Sequence, residues 1–90
     1  MQIPHVATIE AAASLTAELT LATRTLGEAL IALLPLVPNQ DHFASAHDYA
    51  EAHAQHTRRV EALAEVAAEV QTLTQCVRAQ RDAFEARPRP

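Results

Sequence analysis

The sequence predicts an all-α protein: an antiparallel two-helix hairpin, coiled-coil-like, whose apolar seam calls for assembly into a four-helix bundle. Three observations predict it. Twenty of the 90 residues are alanine and one is glycine, a bias toward the best helix former and away from one of the worst. Apolar residues recur at alternating spacings of three and four, the heptad pattern of packed helices. The interior prolines, Pro35 and Pro38, fall together at one place and mark a single turn.

Helix 1 is expected over about 4–34. Pro4 suits a first helical turn, where a missing N–H leaves no bond unmade. Ala12, Leu15, Leu19, Ala22, Leu26, Ala29, Leu33 and Leu36 then form one heptad seam. Pro35 and Pro38 end the helix, and the segment 35–41 is the turn. Helix 2 is expected over about 42–86, capped by Asn39, Asp41 or Ser45. No proline or glycine interrupts it before Pro88, and 87–90 is expected to be a disordered tail. With a short turn, the longer second helix overhangs the first at its far end, near Val77 to Phe84. Arg78 with Asp82, and Arg81 with Glu85, are spaced to pair along that end.

The whole chain is one helical domain, too small to bury a large core alone. The usual supplements are a disulfide, a metal or a partner, and a single cysteine, Cys76, excludes a disulfide within one chain. A net charge of -4 argues against a nucleic-acid surface, which needs clustered positive charge. The longest apolar run, Ala29 to Val37, falls short of the ~20 residues of a membrane span, and no secretory signal pattern is evident. The expectation is a cytoplasmic protein with no membrane span. Its partner is itself or another helical protein. The interface is expected at Leu15, Leu19, Leu26, Leu30 and Leu33 of helix 1, and at Val60, Leu63, Val70, Leu73, Val77 and Phe84 of helix 2.

Four of the five histidines lie between His42 and His56. At 100° per residue, His42, Tyr49, His53 and His56 share one side of helix 2, on the face that Val60 continues. Three readings follow: rings snorkelling beside the helix contact, a pH-sensitive interface, or a zinc or iron site at His53 and His56, three apart, with ligands from another chain. The row Glu61, Glu65 and Glu69 reads as a solvated face, and Cys76 as a small buried hydrophobe. No nucleophile and base stand together, so no enzyme and no cofactor is expected.

The layout of two helices about a mid-chain turn, with a second helix that begins Phe43-x-x-Ala46 and runs to the late aromatic Phe84, resembles the WXG100-type hairpins of type VII secretion. The turn here reads LVPNQD and lacks Trp-x-Gly. Phe84 with Pro88 replaces the Tyr-x-x-x-Asp/Glu export signal. The resemblance implies a secretion partner or accessory subunit that leaves by a signal-independent route on a companion's signal. Two other functions fit the pattern: a His-bearing metal-binding bundle, and a small phage or toxin-system protein that blocks a target by helix packing.

Overall fold

The computed structural model describes residues 4–86 and holds two long helices, with no strand among the described residues. Helix α1 spans Ile9–Leu33. Its start is set by Thr8, whose extended backbone (φ -138°, ψ 162°) stops the helix and whose Oγ1 accepts from the Ala11 N–H at 3.0 Å. The helix therefore begins five residues later than Pro4 suggested. The segment 4–7 instead lies against the other helix, where Gln80 holds it. At the far end the chain tightens into a 3-10 turn, Leu34–Leu36, because Pro35 has no N–H to continue the α-helical ladder.

The connection is longer than a turn. A second 3-10 turn, Gln40–His42, is initiated by Asn39, whose Oδ1 accepts from the Asp41 N–H at 2.9 Å. Helix α2, Ala46–Ala86, starts only after Ser45, whose Oγ accepts from the Asp48 N–H at 3.1 Å. Of the three candidate caps, Ser45 is the one used for α2, while Asn39 caps the short turn before it. The tail 87–90 lies outside the described residues.

The two helices pack side by side and antiparallel. Their register is fixed where the Thr23 and Thr74 hydroxyls lie 3.3 Å apart. Each is also within 2.9 Å of a carbonyl four residues back, Leu19 for Thr23 and Val70 for Thr74. A hydroxyl has one proton, so one donates across the gap and the other to its own helix. Gln80 adds a second tie: its Oε1 accepts from the Val6 N–H and its Nε2 donates to the Pro4 carbonyl, both at 2.8 Å.

This register overturns the expected overhang. With Thr23 level with Thr74, the end of α1 at Leu33 comes level with about residue 64, at 1.5 Å per residue. The part of α2 beyond α1 is therefore its first half, and the linker 34–45 returns along it. Val77, expected in the overhang, is fully buried. The reason is the linker: a short turn would start both helices level, whereas this one displaces α1 by about 18 residues of α2, roughly 27 Å. The molecule is a rod of 72 × 22 × 14 Å.

The centre of the contact also lies off the predicted line. On α1 it follows Ala12, Thr16, Leu19, Thr23, Leu26, Leu30 and Leu33, of which Ala12 and Thr16 are buried and the others half-buried. On α2 it follows His56, Val60, Leu63, Ala67, Val70, Thr74, Val77 and Arg81, again at spacings of four and three. Thr16 and Thr23 sit where the sequence reading placed Leu15 and Ala22. Threonine is tolerated there because its hydroxyl bonds back to its own helix, as Thr16 does to the Ala12 carbonyl at 2.7 Å.

Candidate functional site

The feature that stands out is how little of this contact is buried. Ala12 and Val77 are the only buried apolar residues among those described. The expected interface residues other than Val77, namely Leu15, Leu19, Leu26, Leu30, Leu33, Val60, Leu63, Val70, Leu73 and Phe84, are all half-buried. Large apolar side chains also stand in solvent: Leu21 at 63% exposure, Ile31 at 71% and Leu36 at 66%, with Leu34, Val37 and Val66 close to half exposed. Most of these gather where α1 runs into the linker.

The apolar character of α1 has a second consequence. By length and composition, Ile9–Leu36 is apolar enough to cross a membrane, with a mean hydropathy of 1.4 in an 18-residue window. The sequence reading missed this because it counted uninterrupted runs, and here leucine and alanine are interleaved with single polar residues. Within that segment Arg24 and Glu28 pair at 3.3 Å, both well exposed.

The histidines do not gather. His56 is buried, at 8% exposure, on the contact side of α2, at a level beyond the end of α1. His53 is exposed and tilts against Tyr49, ring centroids 6.0 Å apart, and Tyr49 in turn meets Phe43 of the linker at 6.3 Å. His42 lies exposed in the second 3-10 turn. No group of three or more His, Cys, Asp or Glu side chains able to hold a metal ion forms among the described residues. The three-residue spacing of His53 and His56 puts their Cα atoms near one another, but the helix turns by about 60° between them, enough to bury one ring and expose the other.

Among the described residues, grooves run along the helix pair in at least two places. One, of about 260 Å³, is lined by Thr20, Thr23, Arg24, Gln71, Thr74, Gln75 and Arg78. The other, of about 250 Å³, lies between the N-terminal segment and the end of α2, at His5, Val6, Gln80, Ala83 and Phe84. Neither brings a nucleophile to a base; Cys76 is free and half-buried outside both. The charges at the end of α2 also depart from expectation. Arg81 reaches Asp82 at 3.4 Å in place of Glu85, and its Nε is buried with no hydrogen-bond partner among the described residues. Glu61, Glu65 and Glu69 are all exposed, a solvated row.

Sequence reasoning missed Thr16, Thr23, Thr74 and Gln80 as contact residues. The three threonines carried a usable signal: they continue the four-three spacing as well as their apolar neighbours do. No family model matches the chain, and neither a curated protein nor a solved structure shows significant similarity to it.

Proposed function

We propose that this chain is a small non-enzymatic interaction protein, a helical hairpin that completes its core by packing against another helical chain, in the manner of a four-helix bundle. The observation that carries this reading is how small the core is, with two buried apolar residues among the described ones and a row of half-buried leucines. Burying a leucine fully is worth ~1.5–3 kcal/mol, so a row left up to about a third exposed, with Leu21, Ile31 and Leu36 in solvent beside it, leaves a few kcal/mol for a partner to release.

The test is hydrodynamic mass by light scattering, on the purified chain and on the complex recovered from the native cell. A complex of at least twice 9.8 kDa is expected, and Leu26→Asp or Leu63→Asp should reduce it to the single chain. A stable monomer that recovers no partner refutes the reading. If the chain instead sediments with membranes, the apolar length of α1 serves a bilayer; Arg24 and Glu28 weigh against that, since a charge at mid-bilayer costs ~2.5–3.5 kcal/mol or more. The resemblance to type VII hairpins suggests a secretion companion as the partner, and a co-exported neighbour in the complex would support it.

A further inference from the structure

The groove over the Thr23–Thr74 hydroxyl pair carries a positive charge on both of its walls, Arg24 on α1 and Arg78 on α2. Residues flanking a paired-helix contact ordinarily bear opposite charges that attract across it. Here like faces like. With Thr23 level with Thr74, the two arginines stand about five residues, roughly 7.5 Å, apart along the rod, and both line the same cavity of about 260 Å³. No carboxylate lines it, in a chain whose Asp and Glu outnumber its arginines 11 to 7. The acids spaced to pair with these arginines do not neutralise the groove. Asp82, four residues from Arg78, takes Arg81 at 3.4 Å, and Arg78 has no ion pair among the described residues. Glu28 meets Arg24 through Nε alone, at 3.3 Å, so the Nη groups of Arg24 have no carboxylate. The other wall groups, the Thr20 hydroxyl and the carboxamides of Gln71 and Gln75, are neutral and make no hydrogen bond among the described residues.

We propose that this groove is a binding site for a compact oxyanion, a phosphate or carboxylate group whose oxygens bridge Arg24 and Arg78. Guanidinium forks match the oxygens of either acid bidentately. An anion seated between two like charges replaces their repulsion with attraction to both. The hydroxyl and carboxamides then supply further donors to the same oxygens. The volume sets the size of the ligand, since pockets for drug-sized molecules begin at about 300 Å³; this one takes a small acid. Bound there, the anion touches both helices at the level of the Thr23–Thr74 contact and ties α1 to α2 across it. A single chain provides every group, so the site stands apart from the assembly reading above.

Inorganic phosphate and citrate test the site, each titrated at constant ionic strength into the isotope-labelled full chain and followed by amide and arginine Nε–H resonances. A saturable shift is expected at Thr20, Arg24, Gln75 and Arg78, with a dissociation constant on the order of millimolar. Arg24→Gln and Arg78→Gln, both at exposed positions, should keep helical circular dichroism and each weaken binding about tenfold. Replacing Arg58 and Arg59 by glutamine, an adjacent basic pair outside the groove, should leave binding unchanged. Saturation by either acid supports the site, and the tighter of the two tells a phosphate-bearing ligand from a carboxylate-bearing one. Shifts that sodium chloride reproduces, that never saturate, or that the Arg58 and Arg59 replacements reduce as much, overturn it. Loss of binding in only one of Arg24→Gln and Arg78→Gln overturns the bridge between the helices.

Discussion

Val77→Ala separates the observed register from a short-turn hairpin, in which Val77 would project past the end of α1. Val77 is fully buried. Its truncation removes two carbon groups at ~0.8 kcal/mol each, or ~1.6 kcal/mol of transfer energy. A void of about 50 Å³ adds up to ~1.2 kcal/mol where the helices cannot close on it, at about 24 cal/mol per Å³. The expected loss is therefore ~1.6–3 kcal/mol. Val37→Ala is the matched control, the same chemical change at a residue 51% exposed in the linker; half the transfer term and no cavity give at most ~0.8 kcal/mol. Urea unfolding followed by circular dichroism at one protein concentration measures both, since any assembly makes stability concentration-dependent. With a slope of ~1–2 kcal/mol per molar, Val77→Ala should lower the midpoint by about 1 M or more. Equal midpoints for the two variants would refute the register and restore the overhang.

Four further outcomes are expected. Gln80→Ala should speed hydrogen exchange at the Val6 amide, whose N–H it holds at 2.8 Å, and lower global stability by ~1 kcal/mol; an unchanged Val6 exchange rate would show that the N-terminal segment is held some other way. Thr8→Ala and Ser45→Ala should each cost ~1 kcal/mol by removing a helix cap, read as a fall in melting temperature, with Thr8→Gly or Ser45→Gly costing only tenths. Arg81→Met should raise the melting temperature, because it keeps the apolar stem and removes a buried Nε that has no acceptor, a group that costs ~1–3 kcal/mol; a lowered melting temperature would mean that the guanidinium is paired in solution. In a Thr23→Val, Thr74→Val double-mutant cycle, a coupling of ~0.5–1.5 kcal/mol is expected for the hydroxyl contact, and additivity would exclude it.

The helices were legible in the sequence because their causes are local. Alanine content, the three-four spacing and the break at Pro35 each act within a few residues, and α1 ends one residue from the expected place. The starts were less so: Pro4 and Thr8 both offer a beginning, and Thr8 prevails because it supplies an acceptor to a free N–H while Pro4 merely lacks one. The register was not legible. It depends on Thr23 meeting Thr74 and Gln80 meeting Val6, pairs 51 and 74 residues apart, and no periodicity within one helix reports on the other. The line of contact fell a residue aside for a related reason. Two interleaved rows satisfy the heptad on α1, and hydrophobicity ranks Leu15 above Thr16, whereas packing chooses the row that the opposite helix can reach. The histidine row was legible only in part: His42 falls in the second 3-10 turn, outside α2, and a spacing of three does not tell which of His53 and His56 faces the helix contact.

That linker has slack. Its 12 residues could stretch over about 40 Å, well beyond the roughly 27 Å of α2 that it spans. Its length lets α1 sit displaced along α2, and its slack leaves the exact stopping point to other contacts. Position along the rod is chosen by side chains, in a sequence whose leucines repeat every seven residues and would accept a slide of one heptad, about 10 Å, with little apolar penalty. Two polar contacts, at Thr23 and at Gln80, act as detents against such a slide. A protein built this way could change its length by shifting one helix along the other, with no backbone bond of either helix broken, were those two contacts given up.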